Sequence, residues 1–406
     1  MEKLKVGILG LGRGLTHLRN FLALDEAEVI GAADRLPAWR QRAEELIGRV
    51  AQQSGKTYSC KLVPEFEDLL AMKPDAIAVA TNGRMQVQHA CQAMDAGCHV
   101  TSEVPGAFTE RELILLRDTV VRTGKTYMLA ENTCFWDFFR YWRKWLLEGR
   151  FGQISIANGE YLHFIPNTLD LPQGGRVTPS QAKAQGLTGL KPCWRADQPP
   201  IQYLTHDLGP LLEVLDDRCV SVTCRSAPWR QTETPLRSDG QIALFETAKG
   251  NLIEIMVTLS TRRPSEHRYR LFGTEGSVEW SLYEGFGRRF ERGRTERDGW
   301  ERVEIGMAAR GDDTSTGHGG ADLKTARAFA RAILGGKPSP IDAFRAIEYC
   351  LPGILANRSA ELGGVPISIP DLRLEPFAGT RFWDVVGLPE VEPPTEKYAL
   401  PPLRLE

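Results

Sequence analysis

The sequence predicts an N-terminal α/β Rossmann domain with a parallel sheet, followed by an α+β domain built on an open, mostly antiparallel sheet. In the first third of the chain, short apolar runs rich in β-branched residues alternate with amphipathic helical segments. A glycine-rich segment directly follows the first of those runs. Beyond about Asn132 the strand-like segments become longer, and polar and apolar residues alternate more clearly along them. A length of 406 residues also favours two domains over one.

The first domain, assigned to residues 1–132, is predicted from its alternating elements. The predicted strands are Lys5–Leu9, Val29–Ala33, Ala76–Ala80, His99–Ser102 and Thr126–Leu129. The predicted helices are Leu15–Leu24, Ala38–Gln52, Glu65–Ala71, Gln86–Ala96 and Glu110–Thr123. Because this spacing is typical of βαβ units, the sheet should be parallel with right-handed crossovers. A ligand crevice is then expected at the carboxyl ends of the strands.

The second domain, assigned to residues 133–370, begins with a predicted helix, Phe135–Leu147. The aromatic residues of that helix have helical spacing, which favours core packing or an interface. The predicted strands that follow are Ile154–Phe164, Ser221–Cys224, Gln241–Thr247, Leu252–Ser260, Arg268–Gly273 and Ser277–Ser281. Two more helices are predicted, Ala321–Leu334 and Asp342–Leu362. Residues 371–406 are rich in proline, so we expect an extended tail that wraps a domain or a neighbouring subunit.

Composition narrows the function classes. With a net charge of −2 and both signs spread along the chain, nothing favours a nucleic acid or an anionic membrane as partner. No apolar run is long enough to span a bilayer, and glycines interrupt the apolar N-terminal segment, which argues against a signal peptide. The eight cysteines are scattered without a C-x-x-C pair, so we expect no metal site and no disulfides. A cytoplasmic protein with reduced thiols is the simplest expectation.

The glycine-rich segment is Gly10-Leu11-Gly12-Arg13-Gly14. Glycines at this place allow a tight turn and let the backbone approach a pyrophosphate at the helix N-terminus. The spacing departs from G-x-G-x-x-G, because Leu15 occupies the last position and Gly14 comes one residue early. A purely structural turn is the alternative, but the position after the first strand favours a dinucleotide site.

Asp34 ends the second predicted strand. A carboxylate there can bond both ribose hydroxyls of NAD, and it repels the 2′-phosphate of NADP. The neighbouring Arg35 weakens this argument, because an arginine can pair with that phosphate. We therefore predict NAD as the cofactor, with a surface aspartate in a turn as the alternative.

Further motifs resemble the Gfo/Idh/MocA oxidoreductase superfamily, whose members act mainly on sugars and polyols. The matching segments are Gly10–Gly14, Val79-Ala80-Thr81-Asn82 followed by His89, Ala96-Gly97-Cys98-His99-Val100, and Glu103-Val104-Pro105. The resemblance covers nearly the whole chain. It implies that Thr81, Asn82, Glu103 and Asn132 contact the cofactor and its nicotinamide end. His89 also matches a superfamily position, although structural hydrogen bonding would account for it, as for His17, His99 and His163.

Two departures from that superfamily concern proton transfer. Its ordinary dehydrogenases have a lysine in E-K-P, where this chain has Val104, which neither donates nor accepts a proton. They also have a histidine four residues after an aspartate, where this chain has Leu211 after Asp207. The usual dyad is therefore absent, and oxidation of a secondary alcohol needs another base nearby.

A second resemblance supplies candidates for that base. Tyr203-Leu204-Thr205-His206-Asp207-Leu208-Gly209-Pro210 is similar to the Y-P-T-H-x-x-G-P segment of NAD-dependent glycoside hydrolases typified by α-N-acetylgalactosaminidases. The strand residues around Tyr161, the pair Trp194-Arg195 and the turn at His318 resemble three further segments of that branch, in the same order. In such enzymes the carbon-3 hydroxyl of a sugar is oxidised, the carbon-2 hydrogen is removed, the group on carbon 1 leaves, water adds, and carbon 3 is reduced again. These glycosidases are exceptions to the two-carboxylate rule.

The resemblance implies the roles of these side chains. Tyr161 would act as a base if the nicotinamide charge or a cationic neighbour lowers its pKa. His206 would accept the carbon-3 hydroxyl proton or bind the sugar. Trp194 would stack on the sugar, Arg195 and Tyr203 would bond its hydroxyls, and His318 would line the pocket.

Structural roles remain the alternative for each of these residues: a strand-face aromatic, a packed histidine, a turn. Arg262 and Arg263 form a basic turn that suits an anionic sugar only if it faces the pocket. Three functions stay open at this point: a redox-neutral NAD-dependent glycosidase, an NAD-dependent sugar or polyol dehydrogenase, and a non-catalytic sugar- or NAD-binding regulator. A carbohydrate is the expected partner, and a homo-oligomer is expected because open sheets of this superfamily often pair.

Overall fold

The computed structural model describes residues 3–295, 298–309, 312, 314–373 and 381–396. The N-terminal domain contains a parallel sheet with strands β1 (Leu4–Leu9), β2 (Ala27–Ala33), β3 (Lys61–Val63), β4 (Ala76–Val79), β5 (His99–Ser102) and β6 (Tyr127–Leu129). The strand order is β3-β2-β1-β4-β5-β6, which confirms the predicted Rossmann topology. The helices of this domain are α1 (Gly14–Leu22), α2 (Pro37–Ser54), α3 (Phe66–Ala71), α4 (Gln86–Asp95) and α5 (Glu110–Thr123).

Local sequence explains several helix boundaries in this domain. Helix α2 begins at Pro37, which has no N–H to leave unsatisfied, and ends before Gly55 in the left-handed conformation. Helix α5 begins after a capping box in which Thr109 and Glu112 satisfy each other's backbone N–H groups. The predicted bounds of α5 are confirmed for this reason. Strand β3 was not predicted, because a three-residue edge strand is too short for any alternation to appear.

The second domain contains a mixed sheet and a small three-stranded one. Its strands are β7 (Ile154–Leu162), β8 (Leu169–Asp170), β9 (Arg176–Val177), β10 (Lys191–Pro192), β11 (Cys219–Ser226), β12 (Gly240–Thr247), β13 (Leu252–Thr258), β14 (Glu266–Gly273), β15 (Gly276–Ser281), β16 (Gly287–Glu291), β17 (Glu301–Val303), β18 (Ile367–Ser368) and β19 (Thr395–Glu396). The large sheet has the order β18-β11-β12-β13-β7-β14-β15-β16-β17-β19, and β8 pairs with β9 and β10 in the small one. Only β13 and β7 pair in parallel among the described strands of the large sheet, so the prediction of a mostly antiparallel sheet is confirmed.

Helices cover one face of the large sheet. The helices of this domain are α6 (Asp137–Leu147), α7 (Pro179–Ala184), α8 (Thr205–Leu215), α9 (Ala321–Leu334), α10 (Ala343–Glu361) and α11 (Phe382–Val386). Helix α8 approaches β7 so closely that a Cβ on Gly159 would lie 2.8 Å from Cβ of Asp207. Helix α8 was not predicted because it is buried on every side, so it lacks the one-sided apolar pattern that reveals a surface helix.

The other face of the sheet is open, as predicted. Ile156, Ile242, Leu244 and Phe272 lie on it with exposed fractions of 38–46%. The aromatic residues of α6 instead fill the core, where Phe138 stacks on Trp280 with ring centroids 4.3 Å apart. Core packing or an interface was predicted for these aromatic residues. The buried ones pack in the core: Phe138, Phe139, Trp142 and Trp145.

The predicted tail is described only over residues 371–373 and 381–396; residues 374–380 and 397–406 lie outside the described residues. Its described part packs on this chain's own second domain. Indole Nε1 of Trp383 in α11 donates to the carbonyl of Glu213, and β19 pairs with β17 at the sheet edge.

Candidate active site

The glycine-rich loop joins β1 to α1. Gly10 has a positive φ of 84°, and a Cβ there would lie 2.7 Å from the carbonyl oxygen of Ala80, so a side chain is excluded. A Cβ on Gly12 would meet no atom within 4 Å, which leaves open space beside the loop. Helix α1 begins at Gly14, and no side chain caps its first N–H groups. The loop and helix terminus therefore fit a pyrophosphate.

Asp34 lies at the end of β2 and touches that loop. Its carboxylate accepts the N–H of Leu11 at 2.8 Å and the N–H of Leu36 at 2.9 Å. Each oxygen keeps a further lone pair for a hydroxyl, which is what a ribose requires. Asp34 therefore lies against the glycine-rich loop, and its contact with the ribose stays a prediction.

Thr81 and Asn82 follow β4 at the next strand end. The Thr81 hydroxyl lies 3.0 Å from Nδ1 of His89, so His89 orients Thr81 from helix α4. The Asn82 side chain accepts the N–H of Arg84 and caps a short 3₁₀ turn, Gly83–Met85. Burial lowers the pKa of His89, which favours the neutral ring in this role.

Arg13 links the loop to the second domain. Its guanidinium donates to Glu103 Oε1 at 2.8 Å and to both carboxylate oxygens of Asp322 at 3.0 Å. Asn132 Nδ2 donates to Asp322 Oδ1 at 2.7 Å, and His318 Nδ1 lies 3.0 Å from Oδ2. Three predicted residues, Arg13, Asn132 and His318, therefore contact Asp322, and Glu103 is joined to them through Arg13.

The charges in this network are paired. Burial alone would raise the pKa of Glu103, but Arg13 and His17 outweigh burial and hold it at about 2. Burial likewise opposes ionisation of Asp322, yet His318 and Arg13 keep its pKa below the ordinary value. His318 therefore serves this polar network, and its backbone carbonyl accepts from Trp136 Nε1. We name the group Arg13, Glu103, Asn132, His318 and Asp322 the loop network.

The two departures from the superfamily pattern place no proton donor in the site. Val104 is buried between Glu103 and Pro105. Leu211 is fully buried on α8, where it packs against Gly159. Neither side chain titrates, so any proton transfer depends on other residues.

Tyr161 and His206 converge, as their motifs implied. Their rings stack at 10° with centroids 5.3 Å apart, and Tyr203 meets each of them at 5.1 Å. Arg195 donates to the Tyr203 hydroxyl at 3.1 Å, and its guanidinium lies 4.7 Å from the ring of Trp194. These five residues form one cluster on β7, α8 and the loops before α8.

The cluster adjoins the cofactor side of the molecule. A Cβ added to Gly83 would lie 3.0 Å from the ring of Trp194, and Phe108 packs edge-on against the same ring. Arg84 also pairs with Asp197 at 2.8 Å, two residues after Arg195. The proposed sugar-binding residues therefore pack against the loops at the strand ends of the Rossmann sheet.

Burial raises the pKa of the Tyr161 phenol well above its ordinary value. Tyr203 acts in the same direction, whereas the charge of Arg195 lowers the pKa. Arg195 is thus a cationic neighbour of Tyr161, but without another positive charge burial dominates and the pKa stays raised. Tyr161 needs that further charge in order to lose its proton near neutral pH.

Four residues beside this cluster were missed as functional candidates or treated as structural. Nε2 of His163 lies 3.2 Å from Nε2 of His267, and Nδ1 of His267 lies 3.2 Å from the Tyr269 hydroxyl. Burial lowers the pKa of His163 to about 4 and that of His267 well below its ordinary value. Glu131 contacts His206 directly, with Oε1 2.7 Å from Nδ1. For Glu131, the sequence offered one indication of a functional role, which is its position just after β6, at a strand end.

Within the described part of the chain, no helix is both long and apolar enough to cross a membrane. Among those same residues, no three histidine, cysteine, aspartate or glutamate side chains are arranged to hold a metal ion. The eight cysteines are all free thiols. Arg262 stacks on Phe164 and Arg263 pairs with Glu266, so the basic turn is engaged locally.

Comparison with known proteins agrees with this geometry. Residues 4–131 match the family model of Gfo/Idh/MocA, described as an oxidoreductase family with an NAD-binding Rossmann fold. A glycosyl hydrolase family 109 protein of Porphyromonas gingivalis is 24% identical over 91% of this chain and 85% of its own. An α-N-acetylgalactosaminidase of Shewanella oneidensis is 24% identical over 95% of this chain and 89% of its own.

Solved structures share the fold. A levoglucosan dehydrogenase in complex with NADH and levoglucosan has a TM-score of 0.72 at 19% identity, and the match covers 91% of this chain and 100% of that one. An Agrobacterium radiobacter oxidoreductase in complex with NAD+, L-tartaric acid and magnesium has a TM-score of 0.68 at 14% identity, covering 90% and 98%. Together with the glycine loop and Asp34, the family-model match identifies residues 4–131 as an NAD-binding Rossmann domain of the Gfo/Idh/MocA oxidoreductase type.

Proposed function

We propose that this protein is an NAD-dependent carbohydrate enzyme that hydrolyses a glycoside through transient oxidation at carbon 3. The observation that carries the proposal is the convergence of Tyr161 and His206 beside Arg195, in a cluster that packs against the strand-end loops of the Rossmann sheet. The names of the relatives, glycosyl hydrolase family 109 protein and α-N-acetylgalactosaminidase, support the same reaction class. Fold likeness alone would not support it.

The loop Gly10–Gly14, Asp34, Thr81, Asn82, His89, Glu103 and Asn132 would hold the cofactor. When bound, NAD supplies a hydride acceptor and a positive charge. His206 accepts the proton of the carbon-3 hydroxyl, because a neutral imidazole has one acceptor nitrogen. Tyr161 removes the carbon-2 hydrogen that the carbon-3 ketone makes acidic. Arg195 favours the phenolate of Tyr161, and Trp194 covers an apolar face of the sugar.

The first experiment follows aglycone release and NADH absorbance together on a panel of aryl glycosides in solvent deuterium oxide. We expect aglycone release without NADH accumulation, and a product that carries deuterium at carbon 2. Tyr161→Phe should lower kcat by about 10²–10⁴-fold, because a general base is lost. Tyr283→Phe is the matched control, since that tyrosine is 75% exposed to solvent.

Other results point to the alternatives. NADH that accumulates with substrate oxidation and without aglycone release identifies a sugar or polyol dehydrogenase. Sugar or NAD binding without turnover of either kind identifies a non-catalytic regulator. Aglycone release without deuterium at carbon 2 contradicts the proposed mechanism while keeping a glycosidase.

Two further proposals concern assembly and compartment. The open sheet face with Ile156, Ile242, Leu244 and Phe272 exposes apolar side chains on neighbouring strands, which supports a homo-oligomer paired through that face. Sedimentation of the wild type against Leu244→Lys tests it, since a charge there should dissociate the pair. The free thiols favour the cytoplasm.

A further inference from the structure

Glu131 is a buried carboxylate at the junction of the two domains. It follows β6, the last strand of the Rossmann sheet, and its side chain reaches the first turn of α8. The side chain is 0% exposed, and its Oε1 lies 2.7 Å from Nδ1 of His206. A strand end of the cofactor domain thus holds the histidine of the substrate pocket.

The local hydrogen bonds keep Glu131 ionised. The N–H of Thr133 donates to Oε1 at 3.2 Å, and the Thr133 hydroxyl lies 2.7 Å from the same oxygen. Burial alone would raise the pKa of Glu131, but His206 and Thr133 together lower it. An ionised carboxylate only accepts hydrogen bonds, so the nitrogen facing it must carry a proton.

The backbone of His206 is held as firmly as its ring. The Tyr269 hydroxyl donates to the His206 carbonyl at 2.8 Å. The Thr133 hydroxyl lies 2.8 Å from that carbonyl, and its single proton serves either the carbonyl or Glu131. Rotation of the imidazole would break the bond to Glu131, so one ring orientation is selected. In the described part of the chain, hydrogen bonds engage Nδ1 of this ring and none is formed at Nε2.

We infer that Glu131 is the positioning residue of His206: it fixes the proton on Nδ1 and leaves Nε2 as the proton acceptor for the substrate. The role of Nε2 rests on the proposed function, whereas the fixed tautomer does not. In the reaction, the O–H bond of the substrate hydroxyl breaks and an N–H bond forms at Nε2. The carboxylate of Glu131 stabilises the resulting imidazolium, and the proton returns by the reverse transfer.

The tautomer is measured directly by nitrogen NMR on protein labelled with ¹⁵N-histidine. The chain has seven histidines, and the His206→Gln variant assigns the signal of interest. At a pH where His206 is neutral, we expect Nδ1 to be protonated in the wild type and Nε2 to be partly or fully protonated in Glu131→Gln. Protonation at Nε2 in the wild type overturns the inference. This measurement does not depend on catalytic activity.

Kinetics test the consequence for catalysis. Glu131→Gln should lower kcat by about 10²–10⁴-fold, as the loss of a histidine-orienting carboxylate does, with KM changed by less than about threefold. Glu131→Asp should recover part of kcat. The matched control is Glu213→Gln, which removes another buried carboxylate of the same region. Glu213 lies on α8 but away from His206, and it accepts a hydrogen bond from the Tyr349 hydroxyl at 2.6 Å.

The outcomes separate the two proposals. If Glu131→Gln and Glu213→Gln both lose thermal stability while kcat is unchanged in Glu131→Gln, then Glu131 has only a structural role and the inference is overturned. A wild type that turns over no sugar rejects the proposed function, and the tautomer result then decides the role of Glu131 alone.

Discussion

The ionisable groups beside the cofactor loop and those around Tyr161 are held in opposite states, the first charged and the second neutral. On the cofactor side, the loop network pairs Arg13 with Glu103 and Asp322, and these carboxylates stay ionised far below neutral pH. On the substrate side, burial drives Tyr161, His163 and His267 toward their neutral forms. The charges on the cofactor side therefore do not change near neutral pH, which suits a binding surface. On the substrate side, a nearby charge can change whether a side chain holds a proton.

The largest expected effect comes from removing Arg195, the cation that opposes the effect of burial on the pKa of Tyr161. Arg195→Gln should raise the pKa of Tyr161 further and lower kcat by about 10²-fold or more. The limb of kcat/KM on which the base ionises should move to higher pH, which a pH profile measures. Arg262→Gln, at an exposed arginine stacked on Phe164, is the control. An unshifted profile in Arg195→Gln would break the contrast between the two sides.

A stability effect is expected on the cofactor side. Arg13→Met leaves Glu103 and Asp322 without their guanidinium, and the destabilisation should be about 1–3 kcal/mol, because Arg13 is itself 34% exposed. Chemical denaturation measures it. The double variant Arg13→Met with Asp322→Asn should recover part of the loss, since fewer charges are stranded. Equal losses in the single and double variants would show that the network is not held by charge pairing.

The same network predicts an acid dependence. The pKa of Glu103 is about 2 in the folded protein against an ordinary 4.5, so its contribution to stability is present above 4.5 and is lost as the pH falls toward 2. Arg13→Met should flatten the unfolding free energy over that interval. An unchanged slope would mean that His17 alone keeps Glu103 ionised.

The histidines of the substrate side should act at a higher pH. His163 has a pKa of about 4 in the fold against an ordinary 6.5, so the unfolded chain binds the proton first as the pH falls. Stability should therefore decrease from pH 6.5 to about 4, by at most about 1.4 kcal/mol per pH unit for each such group. His163→Asn should reduce that slope in denaturation curves. A slope equal to that of the wild type would contradict the buried, neutral state of His163.

The smallest expected effect concerns one neutral hydrogen bond. Thr81→Val removes the bond to His89, and we expect NAD affinity to fall by about fivefold, which corresponds to roughly 1 kcal/mol. Isothermal titration with NAD measures it. Asn82→Ala is a useful second variant, since it removes the cap of a short turn together with a proposed cofactor contact. A loss of more than a hundredfold in Thr81→Val would give this strand end a larger role than orientation.

Local patterns predicted most of the Rossmann half. Its strands and helices can be recognised from the periodicity of residues that are close in the chain. That alternation also predicts where the strands end, and Gly10 and Asp34 lie at two of those ends. Tyr161 and His206 were found through motif resemblance, and their convergence could not be derived from spacing, because β7 and α8 are joined by a long irregular segment. Helix α8 itself was missed, since burial on all sides erases its pattern.

The sequence by itself determined the cofactor domain, the glycine loop and the residue types available for proton transfer. Only the tertiary structure decided their partners: Arg13 meets Asp322 from the far end of the chain, Glu131 meets His206 across the domain junction, and His163 meets His267 across two strands. The physical reason is that helix and strand periodicity arises from contacts between near neighbours in the chain. The pKa of a buried group depends instead on whichever distant charges and apolar surfaces the fold brings against it.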